Sequence, residues 1–433
     1  MNFSTSFSSS LVLPAFSDFS GVLKLPGSKS LSNRALLLAA LAKGETKLYN
    51  LLKSDDTRYM CTALKNLNYN ILCMEEINEF VVQGSAGPVQ ASAADLYLGN
   101  AGTAIRSLCA ALTLGHGEFR LSGEERMTER PIKDLVNALV DLGANIQYEV
   151  SEGYPPIIIR ANGLRGGTVK LRGDISSQFL TALLISGPYA QNPLHIVMES
   201  ELISKPYIDL TIDIMAQFGV EVEHHDYREF IVPKGVYVSP QQFYVEGDAS
   251  SASYPLAGAA ITGGTVRVEG VGARSKQGDV QFAEVLQKMG ATIKMGEDWI
   301  ECTGPKGPLK AVDLDLNHIP DAAMTVAVLA LFADGVSTIR NIGSWRVKET
   351  DRIAALSAEL QKVGATVYSD IDSIQVTPPQ KLKEASIETY NDHRIAMCFS
   401  LVSLGGVSIK ILDPSCVNKT YPQYFQDFLK LAK

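Results

Sequence analysis

One pattern recurs along the whole of this 433-residue chain. Each copy begins with small polar residues that run into an Ala/Leu-rich apolar stretch. A Gly turn and a strand follow, then an amphipathic helix that ends at Gly with Ala or Val, and a further strand. The apolar stretches are Ala35 to Leu41, Ser107 to Leu114, Phe179 to Ile185, Tyr254 to Ile261, Met324 to Phe332 and Ile395 to Leu404. The amphipathic helices end at Leu67-Asn68, Leu142-Gly143, Phe218-Gly219, Met289-Gly290 and Val363-Gly364, with Phe425 to Leu429 closing the sixth. Equivalent positions return about every 70 to 77 residues, so six copies fill the chain. Strands such as Thr46 to Asn50, Thr265 to Val268 and Thr338 to Asn341 alternate or carry β-branched residues.

A copy with two helices and several strands is suited to assembly in threes as a small α/β domain, so the repeat predicts two lobes. Their boundary falls at Val245-Glu246-Gly247-Asp248, between the third and fourth copies. A second crossing falls near Leu25-Pro26-Gly27, which assigns the strand Gly21 to Leu25 to the sheets of the C-terminal lobe. The expected lobes are therefore residues 27–246, and 1–26 with 247–433. Two crossings make a hinge, and a hinge between lobes makes a cleft that can close on a ligand.

The residues that open each apolar helix suggest what such a cleft holds. They are Gly27-Ser28-Lys29-Ser30, Gly99-Asn100-Ala101-Gly102-Thr103, Ser176-Ser177-Gln178, Gly247-Asp248-Ala249-Ser250-Ser251, Ile319-Pro320-Asp321 and Asn391-Asp392-His393-Arg394. All read as N-cap sequences, with Asp321 capping the fifth helix. Parallel buried helices bring their positive dipole ends to one face of a lobe. Around those starts lie Lys29, Arg34, Arg106, Arg130, Lys348, Arg352, Arg394 and Lys419. Taken singly, each is an ordinary solvated cation. Recurring at the same point of the repeat, they imply a small, multiply anionic ligand. Gly27-Ser28-Lys29-Ser30 lacks the first Gly and the spacing of a Walker A loop. Asp321 and Glu349 break the cationic pattern. A carboxylate facing an anion weakens binding, so these two are best explained by proton transfer or by a grip on hydroxyls.

Composition narrows the field further. The formal net charge of −8 argues against nucleic acid or an anionic membrane as partner. Six cysteines without a Cys-x-x-Cys pair read as reduced core residues of a cytoplasmic protein, not as a disulfide framework or a metal site. Neither a secretory signal nor a transit peptide is expected, because no Lys or Arg precedes Lys24. The longest apolar runs, such as Met324 to Ala333, fall short of a membrane span.

With these residues in view, the chain resembles the 5-enolpyruvylshikimate-3-phosphate synthase family (the 3-phosphoshikimate 1-carboxyvinyltransferases), one branch of the enolpyruvyl transferases. The resemblance runs from about Gly21 to the C-terminus. It is carried by Leu25 to Ala35, Leu98 to Arg106, Arg130-Pro131, Gly173 to Leu184, Ser204-Lys205-Pro206-Tyr207, Glu246 to Ser253, Arg346 to Arg352 and Tyr390 to Arg394. It implies an α/β fold of two lobes, each three βαβαββ repeats around buried parallel helices with pseudo-threefold symmetry. The N-terminal lobe would mainly bind shikimate 3-phosphate. The C-terminal lobe would carry the catalytic carboxylates and bind phosphoenolpyruvate.

The resemblance further implies transfer of the enolpyruvyl group of phosphoenolpyruvate to the 5-hydroxyl of shikimate 3-phosphate, with phosphate released through a tetrahedral intermediate. No metal or cofactor takes part, and the expected state is a monomer. Shikimate 3-phosphate would be held by Lys29, Ser30, Arg34, Ser176, Ser177, Gln178, Ser204, Tyr207, Asp321 and Lys348. Phosphoenolpyruvate would be held by Lys29, Asn100, Gly102, Thr103, Arg130, Gln178, Arg352, His393, Arg394 and Lys419. The catalytic set is Lys29, Asp321 and Glu349. Asp321 accepts the hydroxyl proton, Glu349 exchanges a proton with C3, and Lys29 protonates or neutralises the leaving phosphate oxygen.

Ser107 stands where the family commonly has Pro, which predicts a relaxed helix start and weakened inhibition by glyphosate. Ser344 stands where many members have Asn before the Trp. Two rivals are weighed beside this reading. The sister transferase acting on UDP-N-acetylglucosamine carries a reactive Cys in the loop that here reads Ser122 to Thr128, without one. A silent scaffold binding phosphorylated metabolites would not require Asp321 and Glu349.

Overall fold

The computed structural model describes residues 9–74 and 79–433, so of the serine-rich start only residues 1–8 lie outside the described residues. The chain divides into two compact units. One is Gly27–Val245; the other joins the N-terminal residues up to Pro26 to Glu246–Lys433.

Among the described residues are twelve α-helices, in which buried and amphipathic ones alternate. The first unit holds α1 (Lys29–Leu41) and α2 (Asp55–Asn66), α3 (Gly102–Thr113) and α4 (Lys133–Asp141), and α5 (Ser177–Ser186) and α6 (Pro206–Gln217). The second holds α7 (Ala249–Thr262) and α8 (Phe282–Lys288), α9 (Ala323–Leu329) and α10 (Arg352–Lys362), and α11 (His393–Ser400) and α12 (Tyr424–Leu431). The odd-numbered helices lack a charged face and are buried all round, as their composition requires. Ala35 through Leu41, for instance, are no more than 1% exposed. Each such Leu contributes about 1.5–3 kcal/mol by leaving water. The even-numbered helices bury one stripe; α4 buries Leu135, Val136, Ala138 and Leu139 and leaves Asp141 on the outer face.

Each unit contains three small sheets built to one plan. In five of the six, a strand pairs parallel with a central strand, and a hairpin then adds to the central strand antiparallel. In the first unit the central strands are Glu45–Tyr49, His116–Ser122 and Leu194–Met198. The parallel partner of Glu45–Tyr49 is Gln242–Tyr244, from the far end of that unit. In the second unit Gly21–Lys24 pairs parallel with Thr265–Glu269. Gly21–Lys24 leads in sequence into α1, and Gln242–Tyr244 into α7, so the chain leaves a unit directly after pairing in it on both occasions. The sixth sheet is completed from the opposite end of the chain. Ser10–Leu13 pairs antiparallel with Ile409–Leu412, in the place a hairpin strand takes in the other sheets. Phe16 and Phe19 then pack on Phe428 of α12.

Side-chain capping departs from expectation at two of the six buried helices. Ser28, Ser176, Asp248 and Asp392 cap α1, α5, α7 and α11 as their sequences predict. Helices α3 and α9 instead begin after Ala101 and Ala322, which have no side-chain oxygen to offer. Asp321 does not cap α9, because its carboxylate is held by two guanidinium groups, and charged pairing outcompetes a neutral N–H donor.

Candidate active site

In the unit Gly27–Val245, the expected residues gather at the starts of α1, α3, α5 and α6. Lys29 and Ser30 are the first two residues of α1 and are half-buried. Arg34, one turn further, is sealed at 2% exposure. Its Nε donates to Thr211 Oγ1 at 2.9 Å, Nη1 to the Ser30 carbonyl at 3.1 Å, and Nη2 to Thr181 Oγ1 at 3.3 Å and the Tyr207 carbonyl at 3.4 Å. All four acceptors are neutral. Burial lowers the Arg34 pKa to about 10, with only a small opposing contribution from Tyr207. Ser204, buried and at φ 54, turns the chain into α6, whose first turn carries Tyr207.

The start of α5 is tied to the start of α3. Ser176 accepts from the Gln178 backbone N–H at 3.3 Å, and Ser177 is buried beside it. The Gln178 amide accepts from Arg106 Nη1 at 2.7 Å and donates to Thr103 Oγ1 at 3.4 Å. Arg106 also donates to the Pro131 carbonyl at 3.0 Å and lies over the Phe179 ring. Arg130 Nη1 donates to the carbonyl and the side-chain oxygen of Asn100, at 2.9 and 2.7 Å. Gly102 fits between these two guanidinium groups. A Cβ there would stand 2.5 Å from Arg130 Nη2 and 2.6 Å from Arg106 Nη1. An uncapped helix N-terminus with two guanidinium groups against its first residue is suited to an anion.

In the unit completed by Glu246–Lys433, the cations are met by carboxylates. Arg352, the first residue of α10, is 1% exposed. Its Nε donates to Asp392 Oδ2 at 2.8 Å, Nη1 to Asp321 Oδ1 at 3.0 Å and Nη2 to Glu349 Oε2 at 2.9 Å. Burial alone would lower its pKa, but Asp392, Glu349 and Asp321 together raise it. Asp321 Oδ2 accepts from Arg394 Nη2 at 2.9 Å, and the Tyr254 hydroxyl accepts from Arg394 Nη1 at 3.1 Å. Lys419 Nζ stands 3.9 Å from Glu349 Oε1. His393 is fully buried at the start of α11, with Nδ1 3.6 Å from Asp392 Oδ1. Lys348 directly precedes Glu349 in the segment leading into α10. Trp345, fully buried, donates from its indole to the Pro320 carbonyl at 2.7 Å and so fixes the backbone beside Asp321.

Asp392 and Asp279 belong to this cluster although sequence reasoning assigned them no site role. Asp392 reads as a cap and serves as one, yet it also closes on Arg352, forty positions away, and nothing local signals that. Asp279 is buried and accepts from Ser250 Oγ at the start of α7. Burial first, and the charge of Asp321 second, push its pKa up to about 7.

No cysteine among the described residues forms a disulfide, and burial pushes the thiols of Cys61, Cys109, Cys302 and Cys398 up to about 12. Among the described residues no helix is long and apolar enough to cross a membrane.

The chain is similar to known proteins over nearly its whole length. The sequence model of EPSP synthase (3-phosphoshikimate 1-carboxyvinyltransferase) matches residues 14–428. A 3-phosphoshikimate 1-carboxyvinyltransferase of Shewanella sp. (strain ANA-3) is 58% identical over 413 residues, covering 95% of this chain and 96% of the relative. That of Shewanella loihica is 57% identical over 425 residues, covering 98% and 99%. The solved structure of EPSP synthase from Acinetobacter baumannii superposes with a TM-score of 0.80 at 26% identity, covering 98% of each chain. The enolpyruvyl transferase NikO from Streptomyces tendae, at 17% identity and a TM-score of 0.79, shares the fold. A family match over nearly the whole chain, and relatives more than half identical across it, place this protein in the EPSP synthase family.

Proposed function

We propose that the chain transfers the enolpyruvyl group of phosphoenolpyruvate to the 5-hydroxyl of shikimate 3-phosphate and releases phosphate, as a cytoplasmic monomer in aromatic amino acid synthesis. The observation that carries this reading is the placement of Asp321 and Glu349 on one guanidinium, that of Arg352. A site that only bound anions would be weakened by both carboxylates; a site that moves protons needs them.

In the first half of the reaction the 5-oxygen bonds to C2 of phosphoenolpyruvate, its proton leaves to Asp321, and C3 gains a proton from Glu349. In the second half the C2–O bond to phosphate breaks, C3 returns a proton to Glu349, and the proton taken up by Asp321 leaves with the departing phosphate, giving the enolpyruvyl ether. Arg352 and Arg394 each grip one oxygen of Asp321. The carboxylate of phosphoenolpyruvate competes for the same donors, so its arrival releases Asp321 to act as base. Once Glu349 has given its proton to C3, the cations on each side, Arg352 at 2.9 Å and Lys419 at 3.9 Å, steady its charge until the proton returns.

The remaining roles divide by unit. Lys29, Ser30, Arg34, Ser176, Ser177, Gln178, Ser204 and Tyr207 would hold shikimate 3-phosphate, with Asp321 and Lys348 on its hydroxyls. Asn100, Gly102, Thr103, Arg130, Gln178, Arg352, His393, Arg394 and Lys419 would hold phosphoenolpyruvate. Lys29 would protonate or neutralise the departing phosphate oxygen. Glyphosate would compete with phosphoenolpyruvate, less effectively here because of Ser107. The test is phosphate release from the purified chain. Release that requires both substrates supports the reading. Turnover with UDP-N-acetylglucosamine in place of shikimate 3-phosphate, or no turnover with either, rejects it.

A further inference from the structure

Helix α10 buries an acid two turns beyond Arg352. Glu359 is sealed at 0% exposure, and no step of the reaction above uses it. Its Oε1 accepts from the Tyr390 hydroxyl at 2.7 Å and from Lys362 Nζ at 2.8 Å, and its Oε2 from the Glu388 backbone N–H at 3.1 Å. Burial and the adjacent Glu359 raise the pKa of Tyr390, so its hydroxyl stays a donor. Arg352 and Glu359 lie about 10 Å apart along the helix axis. Helix α10 therefore grips the segment 388–392 twice, through Glu359 on Glu388 and Tyr390 and through Arg352 on Asp392.

Between the two grips the backbone is held in an unfavourable conformation. Tyr390 and Asn391 sit at φ 54 and 53, both in the left-handed region and neither a glycine. A residue such as Tyr390 is strained there and persists only where its surroundings impose the conformation. This double turn lets Asp392 accept from the Arg394 N–H at 2.9 Å while its carboxylate also reaches Arg352. It also brings the Arg394 guanidinium to Asp321.

We propose that Glu359 is a positioning residue. By holding Tyr390 and Asn391 left-handed, it sets Arg394 against Arg352 and so tunes the grip on the carboxylate of phosphoenolpyruvate. The proposal rests on the function given above. Its experiment compares Glu359→Gln, Tyr390→Phe and the double variant in the full chain, with steady-state kinetics for each substrate and amide exchange at the start of α11.

Each single variant should raise KM for phosphoenolpyruvate about five- to tenfold. KM for shikimate 3-phosphate should stay within about twofold. The double variant should be no worse than the poorer single one, because both act on the Glu359–Tyr390 contact. Protection of the Arg394 amide should fall in all three. Equal rises in both KM values, additive effects, or a lowered Tm with KM for phosphoenolpyruvate unchanged would overturn the proposal. Tyr390→Phe removes one hydroxyl only and tests the same contact if Glu359→Gln fails to fold. An inactive wild type would reject the function, and with it the grip on phosphoenolpyruvate, but not the positioning of Arg394 by Glu359. Exchange at Arg394 would then decide it, and unchanged protection in Tyr390→Phe would sink it.

Discussion

Arg34 and Arg352 share a degree of burial, at 2% and 1% exposure, and differ in what surrounds the charge. Arg34 is caged by hydroxyls and carbonyls of Thr181, Thr211, Ser30 and Tyr207. Arg352 is caged by the carboxylates of Asp321, Glu349 and Asp392. A cage of neutral dipoles leaves net positive charge to be satisfied by an incoming anion, and depends on where the backbone puts each dipole. A cage of carboxylates already satisfies the charge, and depends on how many charges are present. One unit is thus sensitive to geometry, the other to charge count.

The largest expected effect follows from the charge-counting side. Asp321→Ala and Glu349→Gln should each lower turnover by about two to four powers of ten. Each also leaves Arg352 one carboxylate poorer, so the dissociation constant for phosphoenolpyruvate should hold or improve while kcat falls. Near-normal turnover in either variant would remove that residue from the proton-transfer scheme.

Stability separates the two arginines next. Arg352→Met takes the shared guanidinium from Asp321, Glu349 and Asp392, leaving Asp321 with Arg394 and Glu349 with Lys419 but the fully buried Asp392 with no guanidinium, and should destabilise the protein by about 3–5 kcal/mol in urea unfolding. Arg34→Met removes a buried charge whose partners are neutral and can partly satisfy one another, as Thr181 and Thr211 do at 3.2 Å. Its cost should stay within about 1–2 kcal/mol. Equal losses would erase the contrast.

What the sequence makes legible follows the same division. The repeat is readable because the cores of α1, α3, α5, α7, α9 and α11 are apolar on every side, a pattern no surface helix shows. The closing strand Ser10–Leu13 is not readable, because its partner Ile409–Leu412 lies at the other end of the chain. The pair Glu349–Arg352 has helical i,i+3 spacing and announces itself. Asp321 and Asp392 look like ordinary caps, since a cap and an ion-pair partner use the same residue type in the same place. Only the fold tells them apart. Glu359 is more hidden still, an acid on an amphipathic helix whose buried face no local rule assigns.

A pH effect tests whether the charge count in the second unit is full. Arg352, Arg394 and Lys419 meet Asp321, Glu349 and Asp392 there, and Asp279 is a further buried carboxyl beside them. Folded Asp279 keeps its proton up to pH about 7, whereas an unperturbed carboxyl releases it near 3.8. Below 3.8 both states are protonated and the group contributes no pH dependence. Between 3.8 and about 7 the unfolded chain binds fewer protons than the folded one, so this group's contribution to stability falls as pH rises. Asp279→Asn should flatten that fall and raise Tm at pH 8 relative to wild type more than at pH 4. The same Tm difference at both values would mean that Asp279 is not the surplus charge.

The smallest effect probes the geometric side. Ser107 is buried in α3, one turn past Thr103 and Gly102. Proline at this position removes the backbone N–H that would bond back to Thr103, and its ring crowds that carbonyl. Helix α7 shows that the fold tolerates such a residue, because Pro255 lies inside it. In α3 the shift would be felt at Gly102, where the space against Arg130 and Arg106 is too small for even one more carbon. Ser107→Pro should therefore re-aim the first turn of α3 and strengthen glyphosate inhibition by about three- to tenfold, with KM for shikimate 3-phosphate unmoved. If Ser107→Pro leaves inhibition where it was, the first turn of α3 does not set the grip of Arg130, and the sensitivity to geometry assigned to this unit rests on Arg34 alone.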